Sequence, residues 1–237
     1  ITIEQPAQIS VDKQGAIYLA SVSGSIDKYN EEGELESHFS PMKIAEPKLI
    51  EAWNPLKIFT FYQDFQEYSF LDRFLTTANR FSLTSISSYI GLATISADNN
   101  IWLVDLSDFS LKKYDVNFQE ITIDRPLDLV LDPLDYELTH MKEYQNLLFI
   151  SDRNRGLLLF DNLGNYLRTI SIENIRHFNF YQNKLYYIQD KIVSIIDIYT
   201  NDVNSIVLPL AADFIIQNQL GWIAIKEDKM LFLREKN

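Results

Sequence analysis

Arg153, Asn154 and Arg155 form a basic cluster in an otherwise acidic chain. The 237 residues include 33 acidic and 21 basic side chains, which gives a net charge of −12. A guanidinium is a planar fork of donors, so two oriented arginines can clamp a carboxylate or a phosphate. An arginine at an exposed turn can equally be solvated without a ligand. The cluster therefore indicates a binding site only if the fold orients it.

Three histidines, His38, His140 and His177, are the next candidates for chemistry. Imidazole is a common metal ligand, and His140 and His177, which we expect on adjacent inner strands, could approach each other near a channel. Their spacing matches no established ligand pattern, and no third histidine accompanies them. We interpret them as structural histidines and predict neither a metal nor a cofactor.

Signatures of nucleophilic catalysis are missing from the sequence. The chain has no cysteine, no Gly-x-Ser-x-Gly elbow and no glycine-rich phosphate loop. No apolar run reaches the roughly 20 residues that a membrane span requires. The sequence thus favours a non-enzymatic protein, predicts no catalytic residue and predicts no membrane span.

A strand-like sequence pattern recurs along the whole chain, and the elements it forms must position the candidate arginines and histidines. Alternating apolar residues, a polar turn and a second apolar run repeat about every 40 residues, the period of a β-propeller blade. The first runs of the six copies lie at 17–20, 58–62, 101–105, 147–151, 185–189 and 222–226. The sequence predicts one all-β domain, a six-bladed propeller with four-stranded blades.

The last copy predicts how the ring closes. The blades are expected at 6–40, 47–84, 89–124, 136–172, 175–209 and 212–237, and the last of these holds only three strand-like runs. Residues 1–4 alternate correctly for the missing strand. Because closed sheets avoid unpaired edges, we expect the N-terminal strand to complete the C-terminal blade.

The turn residues of the first and fourth copies of the repeat resemble those of a known repeat family. Residues 6–40 and 146–170 match a pattern in which proline opens a blade and acidic or amide residues with glycine form its turns. The matching residues are Pro6, Asp12, Gly15, Asn30, Gly33, Asp152, Arg155, Asp161 and Gly164. The chain thereby resembles NHL-repeat propellers and the related TolB-like group. The resemblance implies the fold and leaves the activity open.

Ligands of propellers generally bind at one end of the central channel, among the connections between blades and the turns between second and third strands. On this basis the candidate binding residues are Asp64, Phe65, Asp108, Phe109, Arg153, Asn154, Arg155, His177 and Asp213. The aromatic residues of the second blade are expected to pack in the core, and Phe65, which interrupts their alternation at a turn, is the candidate for an exposed apolar patch for a partner.

Two alternatives remain open at this point. Lactonase-like propellers hold calcium in the channel, and Glu51, Asn179 and Asp213 are the nearest available ligand set for such a hydrolase. A carbohydrate-binding propeller would need exposed tryptophans. Trp53, Trp102 and Trp222 all lie in strand-like runs, which predicts burial instead.

The net charge of the chain and its first residue, Ile1, indicate which partners and which cellular location to expect. An acidic surface repels nucleic acid, so the sequence predicts a protein or peptide partner that binds at the channel face. The chain begins at Ile1 rather than Met, so we expect a removed N-terminal segment. An exported, periplasmic or lipid-anchored protein at the bacterial cell envelope is expected, with a cytoplasmic location as the alternative.

Overall fold

The computed structural model describes residues 1–76 and 78–233 and contains six antiparallel sheets. Each sheet is built from consecutive strands in chain order. Blade 1 contains β1 (Pro6–Val11), β2 (Ile17–Ser21), β3 (Ile26–Tyr29) and β4 (Leu35–Phe39). Blade 2 contains β5 (Leu49–Glu51), β6 (Ile58–Tyr62), β7 (Glu67–Leu71) and β8 (Ala78–Ser82), with a 3-10 turn at Gln63–Phe65. Blade 3 contains β9 (Ile90–Ile95), β10 (Ile101–Asp105), β11 (Ser110–Asp115) and β12 (Glu120–Pro126).

The remaining three sheets repeat this order. Blade 4 contains β13 (Leu138–Tyr144), β14 (Leu147–Asp152), β15 (Gly156–Asp161) and β16 (Tyr166–Ile170). Blade 5 contains β17 (Asn179–Tyr181), β18 (Lys184–Gln189), β19 (Ile192–Asp197) and β20 (Val203–Val207). Blade 6 contains β21 (Phe214–Asn218), β22 (Gly221–Lys226) and β23 (Lys229–Leu233). The predicted six-bladed propeller is confirmed.

The first strand of each blade is its inner strand, and contacts beside the channel join β1 to β5, β5 to β9, β9 to β13 and β17 to β21. Because neighbouring strands are antiparallel, the connections between blades and the turns between second and third strands share one side of the ring. We call this side the upper face. The lower face carries the first-to-second and third-to-fourth turns.

The N-terminal residues close the ring on blade 6. Thr2 forms an antiparallel bridge with Lys229. The Ile3 N–H donates to the Asp228 carbonyl at 2.8 Å, and the Met230 N–H donates to the Ile1 carbonyl at 3.0 Å. The side chain of Ile3 is buried. The predicted closure is confirmed, but blade 6 has three full strands and residues 1–3 join it through an isolated bridge.

Apolar side chains of adjacent blades pack against each other and form the core. Phe59 of β6, Trp102 of β10 and Leu148 of β14 belong to one buried cluster that joins blades 2, 3 and 4. The Trp102 indole N–H also donates to the carboxylate of Glu143 on the next inner strand. Burial of these large side chains stabilises the stacked sheets.

The turn residues that carry the NHL resemblance shape the turns. The Asp12 carboxylate accepts hydrogen bonds from the backbone N–H groups of Gln14 at 2.8 Å and Ala16 at 3.1 Å. Gly15 follows with a φ of +92°, a conformation that glycine adopts at little cost. Asn30 and Asp161 accept equivalent bonds in the third-to-fourth turns of blades 1 and 4. These residues therefore have a structural role, because they stabilise the turns between strands.

Two local predictions from the sequence are wrong. We expect His177 within the inner strand of blade 5, yet β17 begins at Asn179, so His177 lies in the connection just before that strand. Trp53 was expected to be buried, yet it follows β5 in a bend and is 43% exposed. Trp102 is buried as predicted, and Trp222 is partly buried.

In the described part of the chain, no helix has the length and apolar character needed to cross a bilayer.

Candidate functional site

The upper mouth of the channel opens into a cavity of about 770 Å³, which we call the upper cavity. Residues of blades 1, 4, 5 and 6 line it. Three residues predicted from the sequence lie in its wall, namely Arg153, His177 and Asp213. Its volume is within the range of small-molecule and peptide-anchor pockets, which is roughly 300–1,000 Å³.

Arg153 is held on two sides at the rim of the upper cavity. Its guanidinium pairs with the Glu137 carboxylate and donates to the Asn174 side-chain carbonyl at 2.8 Å. Asp213 pairs with the Lys226 ammonium at 2.7 Å, and both side chains are substantially exposed. Arg176 also lines the cavity and is exposed. Within residues 1–76 and 78–233, no carboxylate pairs with Arg176.

Asn154 and Arg155 form hydrogen bonds with the connection between blades 3 and 4. The Asn154 amide donates to the Asp135 carboxylate at 2.7 Å, and the Arg155 guanidinium donates to the Val130 carbonyl at 3.0 Å. Neither residue lines the upper cavity. The two arginines of the basic cluster therefore contact different partners and do not form one clamp.

Asp64 and Phe65 lie on the upper face of blade 2, away from the walls of the upper cavity. Asp64 is exposed, and the Lys43 ammonium lies 3.5 Å from the centre of the Phe65 ring. The neighbouring blade places Asp108 against Lys112, and the Phe109 ring packs on Tyr136 at 5.3 Å. These four residues share the upper face with the cavity without lining it.

His140 and His177 approach each other beside the channel, with ring centres 4.3 Å apart. Burial is the main cause that lowers the pKa of both imidazoles, and the nearby Lys142 ammonium lowers it further. The buried Nδ1 of His140 has no hydrogen-bond partner among the described residues. Both rings are therefore neutral at physiological pH. In the part of the chain that is described, no three His, Asp or Glu side chains are grouped for a metal ion.

The three residues proposed for calcium each have another partner. The Glu51 carboxylate lies 2.8 Å from the Lys142 ammonium, and both groups are buried. The Asn179 side-chain oxygen accepts from the Phe180 N–H at 2.9 Å, while Asp213 pairs with Lys226. A calcium ion needs six to eight oxygen ligands, and an ammonium beside a ligand carboxylate opposes it. These residues do not fit a calcium ion.

A second cavity of about 560 Å³ occupies the lower mouth, and we call it the lower cavity. The first-to-second turns of five blades line it, and Trp53, Tyr144 and Phe180 form an aromatic wall. Sequence reasoning missed this site because Trp53 was assigned to a strand. The Asn54–Pro55 pair directly after it was the available signal for a bend.

No family model and no curated protein matches this chain. Solved structures do match. The extracellular domain of a putative one-component system from B. thetaiotaomicron is similar over 94% of this chain, with 12% identity and a TM-score of 0.61. This chain covers 32% of that protein, about one third of its length.

Two lyase structures are similar as well. Virginiamycin B lyase from Staphylococcus aureus matches 88% of this chain and 73% of its own, with 12% identity and a TM-score of 0.58. A streptogramin B lyase matches 94% of this chain and 76% of its own, with 15% identity and a TM-score of 0.61. At such identities the likeness concerns the fold alone, and together with the six sheets it shows a six-bladed β-propeller.

Proposed function

We propose that this chain is a non-enzymatic binding propeller that engages a protein or peptide through its upper face. The observation that carries the proposal is the exposure of large apolar side chains on connections of the upper face, the face that also holds the upper cavity. Met42 and Ile44 lie on the connection between blades 1 and 2, and Leu129 and Leu134 lie on that between blades 3 and 4. Exposed apolar groups on loops held by a rigid scaffold are typical of protein interaction sites.

The charges of the upper cavity suit a peptide that carries a carboxylate. Arg153, Arg176 and Lys226 bring three positive charges to a cavity that also contains Asp190 and Asp213. The three basic and two acidic lining side chains give the cavity a net charge of +1, whereas the chain as a whole carries −12. Since Arg153 and Lys226 already have acidic partners, Arg176 is the side chain that remains to receive an incoming carboxylate.

The contacts of His177 favour binding over catalysis. Its ring packs against His140 and Phe214, with ring centres 4.3 Å and 5.3 Å away. A general base needs a pKa near the working pH and a partner that orients it. The pKa of His177 is instead lowered to about 3. We therefore propose a recognition surface without a catalytic step.

The acidic net charge supports the proposal that nucleic acid is not a partner. The extracellular domain among the similar structures supports the proposed export of this chain to the bacterial cell envelope. Fractionation of the native host, with an antibody against the chain, tests the location. Recovery in the cytoplasmic fraction would contradict export.

Selection of peptides from a random displayed library tests the proposed function. Enriched peptides are expected to bind wild type, and binding should be lost in Leu134→Glu and Arg176→Glu. The matched control is Phe118→Glu, which changes an exposed apolar residue on the lower face. Circular dichroism of each variant establishes folding. Failure to enrich any peptide, or binding that the upper-face variants leave unchanged, would overturn the proposal.

A further inference from the structure

The lower cavity lies on the opposite face of the ring from the proposed peptide site. Its walls come from the turns after β1, β13, β17 and β21 and from the bend after β5. With about 560 Å³, it is large enough to take a small molecule rather than a protein surface.

One wall of the lower cavity is a layered set of three aromatic rings. The Tyr144 ring stacks on Phe180 with centres 4.3 Å apart and an interplanar angle of 5°. Trp53 packs edge-on to Tyr144 at 5.7 Å, and 43% of Trp53 remains exposed. An indole held in a concave site with much of its surface open offers a rigid, flat apolar platform to a ligand.

The other walls of the cavity supply amide groups. Gln182, Gln217 and Gln219 line it, and each amide offers both donors and an acceptor. The Oε1 atom of Gln217 is buried and has no hydrogen-bond partner among the described residues. A buried carbonyl without a partner is costly, so rotation of the Gln217 amide towards a hydroxyl of a ligand in the cavity would stabilise the bound state.

The charged residues of the cavity leave little for an ionic ligand. The Asp12 carboxylate is already engaged by the Tyr18 hydroxyl and by two backbone N–H groups. Lys13 is exposed, where water solvates its ammonium. The buried Asp12 carboxylate therefore has its hydrogen-bond donors within the protein and does not need a counter-charge from the ligand.

We propose that the lower cavity binds a neutral sugar of one or two rings. The apolar C–H face of a sugar ring would lie on Trp53, and its hydroxyls, which both donate and accept, would pair with the amides of Gln182 and Gln217. This site is separate from the upper cavity, and its existence does not depend on the proposed peptide binding.

Isothermal titration calorimetry with glucose, galactose, mannose, N-acetylglucosamine, maltose and cellobiose tests the proposal. At least one of these sugars should bind saturably at about 10 mM, because a site with a Kd of about 1 mM is largely filled there. Trp53→Ala should weaken that binding about tenfold or more, and Gln217→Leu should weaken it while leaving the fold intact.

Phe118→Ala is the matched control, since it removes an exposed aromatic ring from a third-to-fourth turn away from the lower cavity. Its affinity should equal that of wild type. If Trp53→Ala fails to fold, Trp53→Phe retains a smaller ring and should give an intermediate affinity. Absence of saturable binding for all six sugars, or affinity that Trp53→Ala leaves unchanged, would overturn the proposal.

Discussion

The Lys142 ammonium lies 2.8 Å from the Glu51 carboxylate, and this buried pair joins two blades that are not neighbours in the ring. Glu51 ends the inner strand of blade 2, and Lys142 lies in the inner strand of blade 4. The inner strand of blade 3 contacts both of those strands. The pair therefore links blades 2 and 4 alongside blade 3.

Removal of one partner of this pair should destabilise the fold strongly. Lys142→Met leaves the Glu51 carboxylate buried without a counter-charge, and such losses typically cost about 3–5 kcal/mol. The double variant Glu51→Leu with Lys142→Met should recover much of that loss, because neither charge then remains buried. Urea unfolding at neutral pH measures both free energies.

Lys226→Ala provides a comparison for that prediction, because its pair with Asp213 is exposed. An exposed ion pair contributes only about 0–1 kcal/mol. Equal losses of stability in Lys226→Ala and Lys142→Met would contradict the importance of burial for the inner pair.

Acidification should destabilise the fold before the carboxylates titrate. The pKa values of His140 and His177 are lowered in the folded state, whereas an unfolded histidine titrates near 6.5. Below about pH 6.5 these two histidines bind protons in the unfolded chain, whereas they stay neutral in the folded chain. The unfolding free energy therefore falls with decreasing pH, by up to about 1.4 kcal/mol per pH unit for each histidine.

Denaturant unfolding between pH 7 and about pH 4.5 measures this slope. The double variant His140→Leu with His177→Leu should flatten it. The pKa values of the Asp98 and Asp105 carboxylates are lowered in the folded state, so their protonation below about pH 4 decreases the unfolding free energy further. A flat wild-type profile above pH 4.5 would contradict the prediction.

The architecture could be predicted from the sequence because it depends on a repeated pattern. Runs such as 101–105 and 147–151 are continuous or alternating apolar segments at a blade-like period, and small errors at their ends do not change the fold. The closure by residues 1–4 followed from the count of strands. Both results depend on periodicity and tolerate local mistakes.

The contacts of the candidate sites could not be predicted in the same way. Arg153 and Arg155 are two residues apart, yet one binds Glu137 and the other binds the Val130 carbonyl. Trp53 lies outside a strand because the chain bends after Glu51. These contacts depend on the direction of individual side chains and on the length of the connections between strands. The repeated pattern determines neither the directions nor the lengths.

Loss of the closing contact should lower stability more than its short length suggests. Ile3→Ala removes a buried side chain from the segment that pairs with β23, and large-to-small changes of this kind cost about 2–5 kcal/mol. Thermal unfolding followed by circular dichroism should show a lowered Tm. Val207→Ala changes an exposed residue of the outer strand β20 and should leave the Tm nearly unchanged. A Tm for Ile3→Ala equal to that of wild type would show that the closing strand contributes little.

Calcium should leave the thermal stability of the protein unchanged. A ligand that binds only the folded state raises stability, by about 2.7 kcal/mol at one hundred times its Kd. The proposed ligands are occupied, since Glu51 pairs with Lys142 and Asp213 pairs with Lys226. Differential scanning calorimetry after chelation, with millimolar calcium or with magnesium as the control, measures the shift. A rise in Tm that calcium causes and magnesium does not, and that Glu51→Gln abolishes, would instead favour the calcium-dependent hydrolase.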